Sequence, residues 1–587
     1  MKSKYLILIF LLSSSFSLLF AQEFPMGGEN LILSEKLKNT KVDNEFGKIE
    51  MANAENTLAL TATTIKQPKF VYNLSIRFPL QTRNIVPDQP LLLTFQARTL
   101  ESSKETAEAK VAWIFRQAES SAPKDVIEKA VSLSSKWQTY YLPFKALKTS
   151  NATDILAMHF GFTPQKFEIK NIQLLLYPVG FDFAKLPKTK ITYAGMASNS
   201  KWRIEAEKRI EAIRKGNFSL SVNFKGKPIK NASISIQQKK HYFRFGTAVS
   251  TVDINTNPKY LETVEKLFNT VVFENDLKAK AWSIVNKQPA TIDAINTLKS
   301  DEILVKGHAL LWPGFQYLPE VYFENKNNPD KIKQLIDSHF KSILSQTKGK
   351  ISHWDVVNEA YTNKDISTIF GSNEILFEAF RKAKSFDPNA KRYINEYGIL
   401  SGGGINITKQ DWYFNFIKEI DSKTNGAIDG LGMQSHIGTD LTPPTTVIEV
   451  LNRFSTLNKE IAISEFSIDI LDDDDLRAQY TRDFMITAFS IPAVKEYLFW
   501  GFYAPRHPKA ALVDENYSLT KMGKAYRDLV FDTWNTKWEG KTNEKGEMVH
   551  RGFYGDYEYS VQYEGKEYKG TFALMPNDLT AIKINLK

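Results

Sequence analysis

His353-Trp354-Asp355-Val356-Val357-Asn358-Glu359-Ala360 and, further along, Ile461-Ala462-Ile463-Ser464-Glu465-Phe466 are apolar, β-branched runs that each carry a carboxylate at or near the end. Runs of that length and composition fit buried strands. A strand that stops on a glutamate puts an ionisable group at the mouth of a core, where burial tunes its pKa. One such strand is weak evidence of anything. Two, separated by alternating strand and helix patterns, supply the paired carboxylates that cleavage of a glycosidic bond requires.

Outward from these two runs, the alternation predicts strands at 243–248, 270–274, 303–308, 352–359, 392–396, 428–436, 461–465 and 497–502. Helical patterns lie between them, for example over 329–347 and 373–386. Eight strand–helix units fit an α/β fold, a (β/α)8 TIM barrel of ~250 residues, whose active site lies where the strands end. Before it, residues 22–190 show short strands separated by turn residues, with little helical periodicity, which reads as a β-sandwich. Residues 185–200 read as a linker, 202–215 as a helix, and 219–237 as a hairpin around Lys225-Gly226-Lys227-Pro228. The barrel unit is therefore expected over 200–531, with a small β appendage at 532–587.

The expected strand ends gather Glu274, Asn275 and Lys278; His308 and Trp312; Asn358 and Glu359; Gln434 and His436; Glu465; and Trp500. Carboxylates, amides, imidazoles and indoles are the groups that read sugar hydroxyls and stack on pyranose faces. The competing reading makes Trp312 and Trp500 barrel packing and His436 a core histidine, since an indole buries much area in either role. The histidines lack the spacing of a metal site, so no metal and no cofactor are expected. Asp472–Asp475 reads as a solvated helix start rather than a calcium loop. In the sandwich, Trp113, Trp137, Tyr140 and Tyr141 are candidates for either a sugar groove or the core.

From about residue 205 to residue 529 the chain resembles glycoside hydrolase family 10, the retaining endo-β-1,4-xylanases. The resemblance is carried by Phe-Gly-Thr-Ala at 245–248, Glu-Asn-Asp-Leu-Lys at 274–278, and Lys-Gly-His-Ala-Leu-Leu-Trp at 306–312. It continues through Trp-Asp-Val-Val-Asn-Glu-Ala at 354–360, Gln-Ser-His at 434–436, Ser-Glu at 464–465 and Trp-Gly-Phe at 500–502. The approach at 202–237 and Arg-Gly-Phe-Tyr-Gly-Asp-Tyr at 551–557 are similar to the plant-type branch, and residues 22–190 resemble an attached carbohydrate-binding module. The resemblance implies Glu359 as general acid/base and Glu465 as nucleophile. It also implies that Glu274, Asn275 and Lys278 hold the sugar on the non-reducing side. His308, Trp312, Gln434, His436 and Trp500 would then shape the site of cleavage, with Asn358 beside a sugar hydroxyl. Glu359 is expected to have a raised pKa, partly through repulsion by Glu465. The implied partner is a β-linked polysaccharide, xylan first. Departures fall at Ser467, where the family has an aspartate, at Ala279 in place of a tryptophan, and at Pro313 in place of a histidine. Gln316 is a partial stand-in for a family glutamine. These leave open another β-glycan or a short β-xyloside as substrate, or a glycan-binding protein without catalysis.

Lys2 and Lys4, the apolar run 5–12 and Leu19-Phe20-Ala21 read as a signal peptide cleaved after Ala21, which predicts export to the periplasm or beyond. There is no cysteine, so neither a disulfide nor a cysteine-linked lipid is available. No other stretch reaches the ~20 apolar residues of a membrane span. The net charge of +10 is spread along the chain rather than gathered in arginine-rich blocks, which argues against nucleic acid as a partner.

Overall fold

Thr270–Phe273 and His353–Asn358 are buried at every position, as strands of a parallel sheet covered on both faces must be. In the computed structural model, which describes residues 25–586 apart from 38–41, 55–56, 104–107, 118–125, 151–153, 471–472 and 578–579, they belong to a closed parallel barrel. The leader expected at 1–21 lies outside the described residues. In chain order the eight barrel strands are Arg244–Val249, Thr270–Phe273, Leu304–Leu311, His353–Asn358, Lys391–Glu396, Gly430–Met433, Glu460–Ile468 and Val494–Phe499. Each pairs with its neighbours in sequence, and strand eight closes on strand one through Gly246 and Leu498. This is the expected (β/α)8 barrel.

Strand ends differ from expectation where backbone geometry intervenes. Strand three runs past His308 to Leu311, and strand eight stops at Phe499, leaving Trp500 on the loop beyond. Strand six ends at Met433, because Ser435 takes a left-handed conformation (φ 63°) that turns the chain out of the sheet. His436–Ile437 then forms its own short strand against Ser467 and Ile468 of strand seven. The helices follow their local signals. Asn328 caps Pro329–Thr347 by accepting from the Lys331 N–H, and Ile332, Ile336, Phe340 and Ile343 form its buried stripe. Asp473 likewise caps Asp474–Phe489 through the Leu476 N–H; Asp472 lies outside the described residues.

Ahead of the barrel, one antiparallel sheet built on Pro90–Ser102 and Gln165–Leu176 faces a second made of Ser75–Phe78, Ala109–Arg116, Val126–Leu133 and Ile155–His159. Alternation sorts the aromatic candidates. Trp113 (2% exposed) and Tyr140 point inward and pack on Phe95, whereas Trp137 is 40% exposed with Lys170 Nζ 4.3 Å above its ring. The segment at 185–200 is no free linker. Tyr193 is buried against Tyr480, and its hydroxyl donates to Asp483 Oδ2 at 2.7 Å, beside the Arg203–Asp483 ion pair.

The hairpin expected at 219–237 forms only at its turn. Lys215–Phe224 turns at Gly226 into the two-residue strand Lys227–Pro228, and the chain then crosses to another sheet as Ser233–His241. Each of the two long strands becomes an inner member of a four-stranded sheet completed by strands from 537–586. Phe218, Leu220, Ile234 and Ile236 supply one half of a shared core and Tyr557 and Val561 the other, so neither segment could bury its apolar face without the other.

Candidate active site

Glu359 follows directly on strand four in a left-handed conformation (φ 54°), which costs a non-glycine residue ~1–2 kcal/mol. Its backbone is held in place: the N–H donates to the Asn395 carbonyl at 2.9 Å, and its carbonyl accepts from Asn363 Nδ2 at 3.0 Å. The carboxylate accepts from Gln434 Nε2 at 2.8 Å and from Asn363 Nδ2 at 3.4 Å. Glu465, buried within strand seven, accepts from Asn395 Nδ2 at 2.7 Å and lies 3.1 Å from His436 Nε2. Asn395 Nδ2 also donates to Asn358 Oδ1 at 3.0 Å, and Gln434 Nε2 reaches the same oxygen at 3.5 Å. One chain of amides therefore joins the two carboxylates, from Glu359 through Gln434, Asn358 and Asn395 to Glu465. Asn358 Nδ2 is buried and has no partner among the described residues, which leaves an N–H for a sugar hydroxyl.

Asn395 sits on strand five and Glu465 on strand seven, so the bond between them crosses strand six. Gly432 makes the crossing possible. A Cβ there would stand 2.2 Å from Asn395 Oδ1, which instead accepts from Ser464 Oγ at 2.6 Å.

Burial is the main reason the Glu359 carboxyl is held above its usual range; the Gln434 hydrogen bond opposes this, and repulsion from Glu465 adds to it. Replacing Glu465 by Gln removes that repulsion, so Glu359 should titrate at lower pH than in the unaltered protein. Carbon NMR of protein with labelled glutamate side chains reads the shift; an unchanged or higher value would show that the Glu465 charge does not act on Glu359.

The other expected residues are brought to the same end of the barrel. His507 Nε2 lies 3.1 Å from Glu274, and this hydrogen bond holds the Glu274 carboxyl below its usual range against burial. Lys278 Nζ donates to Asn275 Oδ1 at 3.0 Å and stands 5.2 Å from the Trp312 ring and 5.9 Å from that of Trp500. Burial lowers the Lys278 pKa, opposed by Glu465, Glu274 and Glu359. Trp500 packs edge-on against both His308 and His436, and Trp312 stacks on Tyr317. His308 Nδ1 is 2.9 Å from Asp355 Oδ2; a carboxylate only accepts, so the proton sits on Nδ1. His436 uses the Ser467 hydroxyl at 2.9 Å in place of the family's aspartate. Gln316 Nε2 reaches Asn363 Oδ1 at 3.5 Å and so approaches Glu359 indirectly. The Pro313 carbonyl accepts from the Ile366 N–H, and Ala279 opens a short helix whose buried Trp282 donates to Ser342.

Sequence reasoning missed Asn395 and the ionic floor beneath the site. Lys306 lies 3.1 Å from Asp355 and 3.7 Å from Glu496, which also meets His353 at 2.7 Å and Arg244 at 2.8 Å. For three of these groups the partners outweigh burial: Asp355 and Glu496 are held below the usual carboxylate range and Lys306 above the usual lysine value, whereas burial prevails at His353 and lowers its pKa. Period-two spacing was the available signal, since Lys306 and His308 share one strand face, as do His353 and Asp355. Asn395-Glu396 likewise ends a strand on polar residues, the mark already used elsewhere. Among the described residues no group of three His, Asp or Glu side chains is placed to hold a metal, and no helix is long and apolar enough to cross a membrane.

Residues 234–522 match the family model described as Glycosyl hydrolase family 10. The anti-sigma-I factor RsgI6 of Acetivibrio thermocellus is 29% identical over 401 residues, 65% of this chain and 49% of its own length. Endo-1,4-beta-xylanase 1 of Arabidopsis thaliana is 26% identical over 362 residues, 60% of this chain and 37% of its own length. The chain thus spans about half or less of the length of these relatives. The crystal structure of xylanase 10B from Thermotoga petrophila RKU-1 in complex with xylobiose is 24% identical, with a TM-score of 0.44, over 50% of this chain and 95% of that one.

Proposed function

We propose that this chain, whose residues 234–522 belong to glycosyl hydrolase family 10, is an endo-acting β-1,4-xylanase that works by double displacement, with Glu465 as nucleophile and Glu359 as acid/base. The observation that carries the reading is the single amide chain linking the two glutamates, with a proton-holding environment around Glu359. Glu465 attacks the anomeric carbon while Glu359 gives its proton to the leaving oxygen. The Asn358 N–H, without a protein partner, is available to the sugar hydroxyl next to that carbon. Formation of the glycosyl-enzyme cancels the Glu465 charge. The repulsion that helped to hold the proton on Glu359 is then gone, and Glu359 becomes the base that activates water. Lys278, Glu274 and Asn275 hold the sugar chain on the non-reducing side, and the indoles of Trp312 and Trp500 bound the site of cleavage. The Ser467 hydroxyl keeps His436 in place without a second buried charge beside Glu465. Export belongs to the same proposal and rests on the leader-like sequence at 1–21.

Reducing-sugar release from xylan, set beside mixed-linkage glucan and cellulose, tests the substrate, and proton NMR of the first product tests the mechanism. Xylan is the expected substrate and the β-anomer the expected first product, as retention requires. Carboxylates ~5–5.5 Å apart retain, whereas those ~6.5–9.5 Å apart invert, so an α-anomer appearing first would sink the double displacement. Cleavage of another β-glycan alone would leave the mechanism and change the substrate. Silence on all three would favour glycan binding without catalysis.

A further inference from the structure

The sandwich does not stand apart from the barrel. A groove of about 280 Å³ runs between them, walled on one side by Gly402 and Ile405 from the loop after strand five and by Gly438–Asp440 from the loop after strand six. Gly438 is two residues beyond His436, so this wall begins within about 7 Å of chain from the imidazole that meets Glu465. The opposite wall comes from the sandwich: His159, Glu128 and the turn at Val71. Phe70 and Tyr72 flank that turn. Their rings are parallel with centroids 5.0 Å apart, and they are 41% and 56% exposed, while His159 meets the Tyr72 ring edge-on.

We propose that this groove is an additional glycan-binding site, and that it takes the sugar residues on the leaving-group side of the same chain that the cleft cuts. The inference rests on the hydrolase reading above. Four observations support it. Exposed aromatic rings beside histidine and carboxylate groups make an apolar platform with polar edges, the combination that holds a pyranose. Glu128 and Asp440 offer carboxylate acceptors for sugar hydroxyl groups, and Lys110 is already paired with Asp440. Strand two, whose following loop carries Glu274, Asn275 and Lys278, lies across the barrel from strands five and six. A chain entering over strand two and cut at Glu465 therefore leaves toward the groove. Finally, the placement is pinned by Lys110–Asp440 between sandwich and barrel and by Tyr193 of the connecting segment on Asp483.

Titration calorimetry on the full-length chain carrying Glu465→Gln, which binds without turning over, tests the groove with xylobiose and xylohexaose. The double variant Phe70→Ala and Tyr72→Ala should weaken xylohexaose binding about tenfold and xylobiose binding less than about twofold, at one ligand per chain. Both side chains lie outside the sandwich core, so the fold should tolerate the change, and unaltered xylobiose binding reports that it has. Xylohexaose binding that the double variant leaves unchanged would overturn the groove and spare the cleft. Two independent ligands per chain would make the sandwich a separate binding module and also overturn it. Failure of the single Glu465→Gln protein to bind either sugar would overturn the cleft reading and the groove with it.

Discussion

Glu465→Gln lowers turnover by roughly 10⁴–10⁶-fold on every β-glycoside, polymeric or aryl, without disturbing the fold. The amide keeps an oxygen for the Asn395 N–H and turns an NH₂ toward His436, whose ring nitrogen can accept it. The site therefore stays assembled, and what is lost is the attacking carboxylate. No glycosyl-enzyme forms, so a good leaving group brings no relief. Steady-state rates on xylan and on a dinitrophenyl β-xyloside, with a melting curve to show an intact chain, measure this. Activity within tenfold of the unaltered protein would remove Glu465 from the role of nucleophile.

The second large effect separates the two glutamates. Glu359→Ala removes both the proton donor and the base, but a dinitrophenolate hardly needs the proton, so the first step on that substrate should survive. The glycosyl-enzyme should then accumulate as a burst of phenolate followed by a steady rate roughly 10²–10⁴-fold below normal, because nothing activates water. Azide needs no base and carries its own negative charge into the space vacated beside Gln434 and Asn363. Added azide should restore turnover and yield a β-glycosyl azide with retained configuration. The Glu465 variant should give no such adduct. The opposite pattern, rescue at Glu465 with none at Glu359, would mean that the two roles are exchanged.

Much of this molecule was legible in one dimension because its signals are local. An apolar, β-branched run ending on a polar residue marks a parallel strand and a site residue together, and Glu359, Glu465, Glu274, His308 and Gln434 were all found by that mark. Helix starts were equally readable: Asn328 before Pro329 is both a cap and a fixed φ, and the helix begins there. Composition alone excluded disulfides, since a chain without cysteine has no other means of making them.

The remainder depended on partners distant in the chain. Lys215–Phe224 and Ser233–His241 have the pattern of a hairpin, yet each is claimed by strands from 537–586, because their apolar faces close a core only with Tyr557 and Val561. Asn395 carries no local sign of its reach to Glu465; that reach exists because Gly432, on the strand between them, has no side chain in the way. The charges of Lys306, Asp355, Glu496 and Arg244 read singly as foreign to a core, and only closure of the barrel sets each beside its opposite and so offsets the cost of burial. The residues and their chemistry were set by sequence. That Glu359 is held above its usual range was decided by tertiary structure, because that depends on how deeply the carboxyl is buried and on how near a second negative charge the barrel holds it.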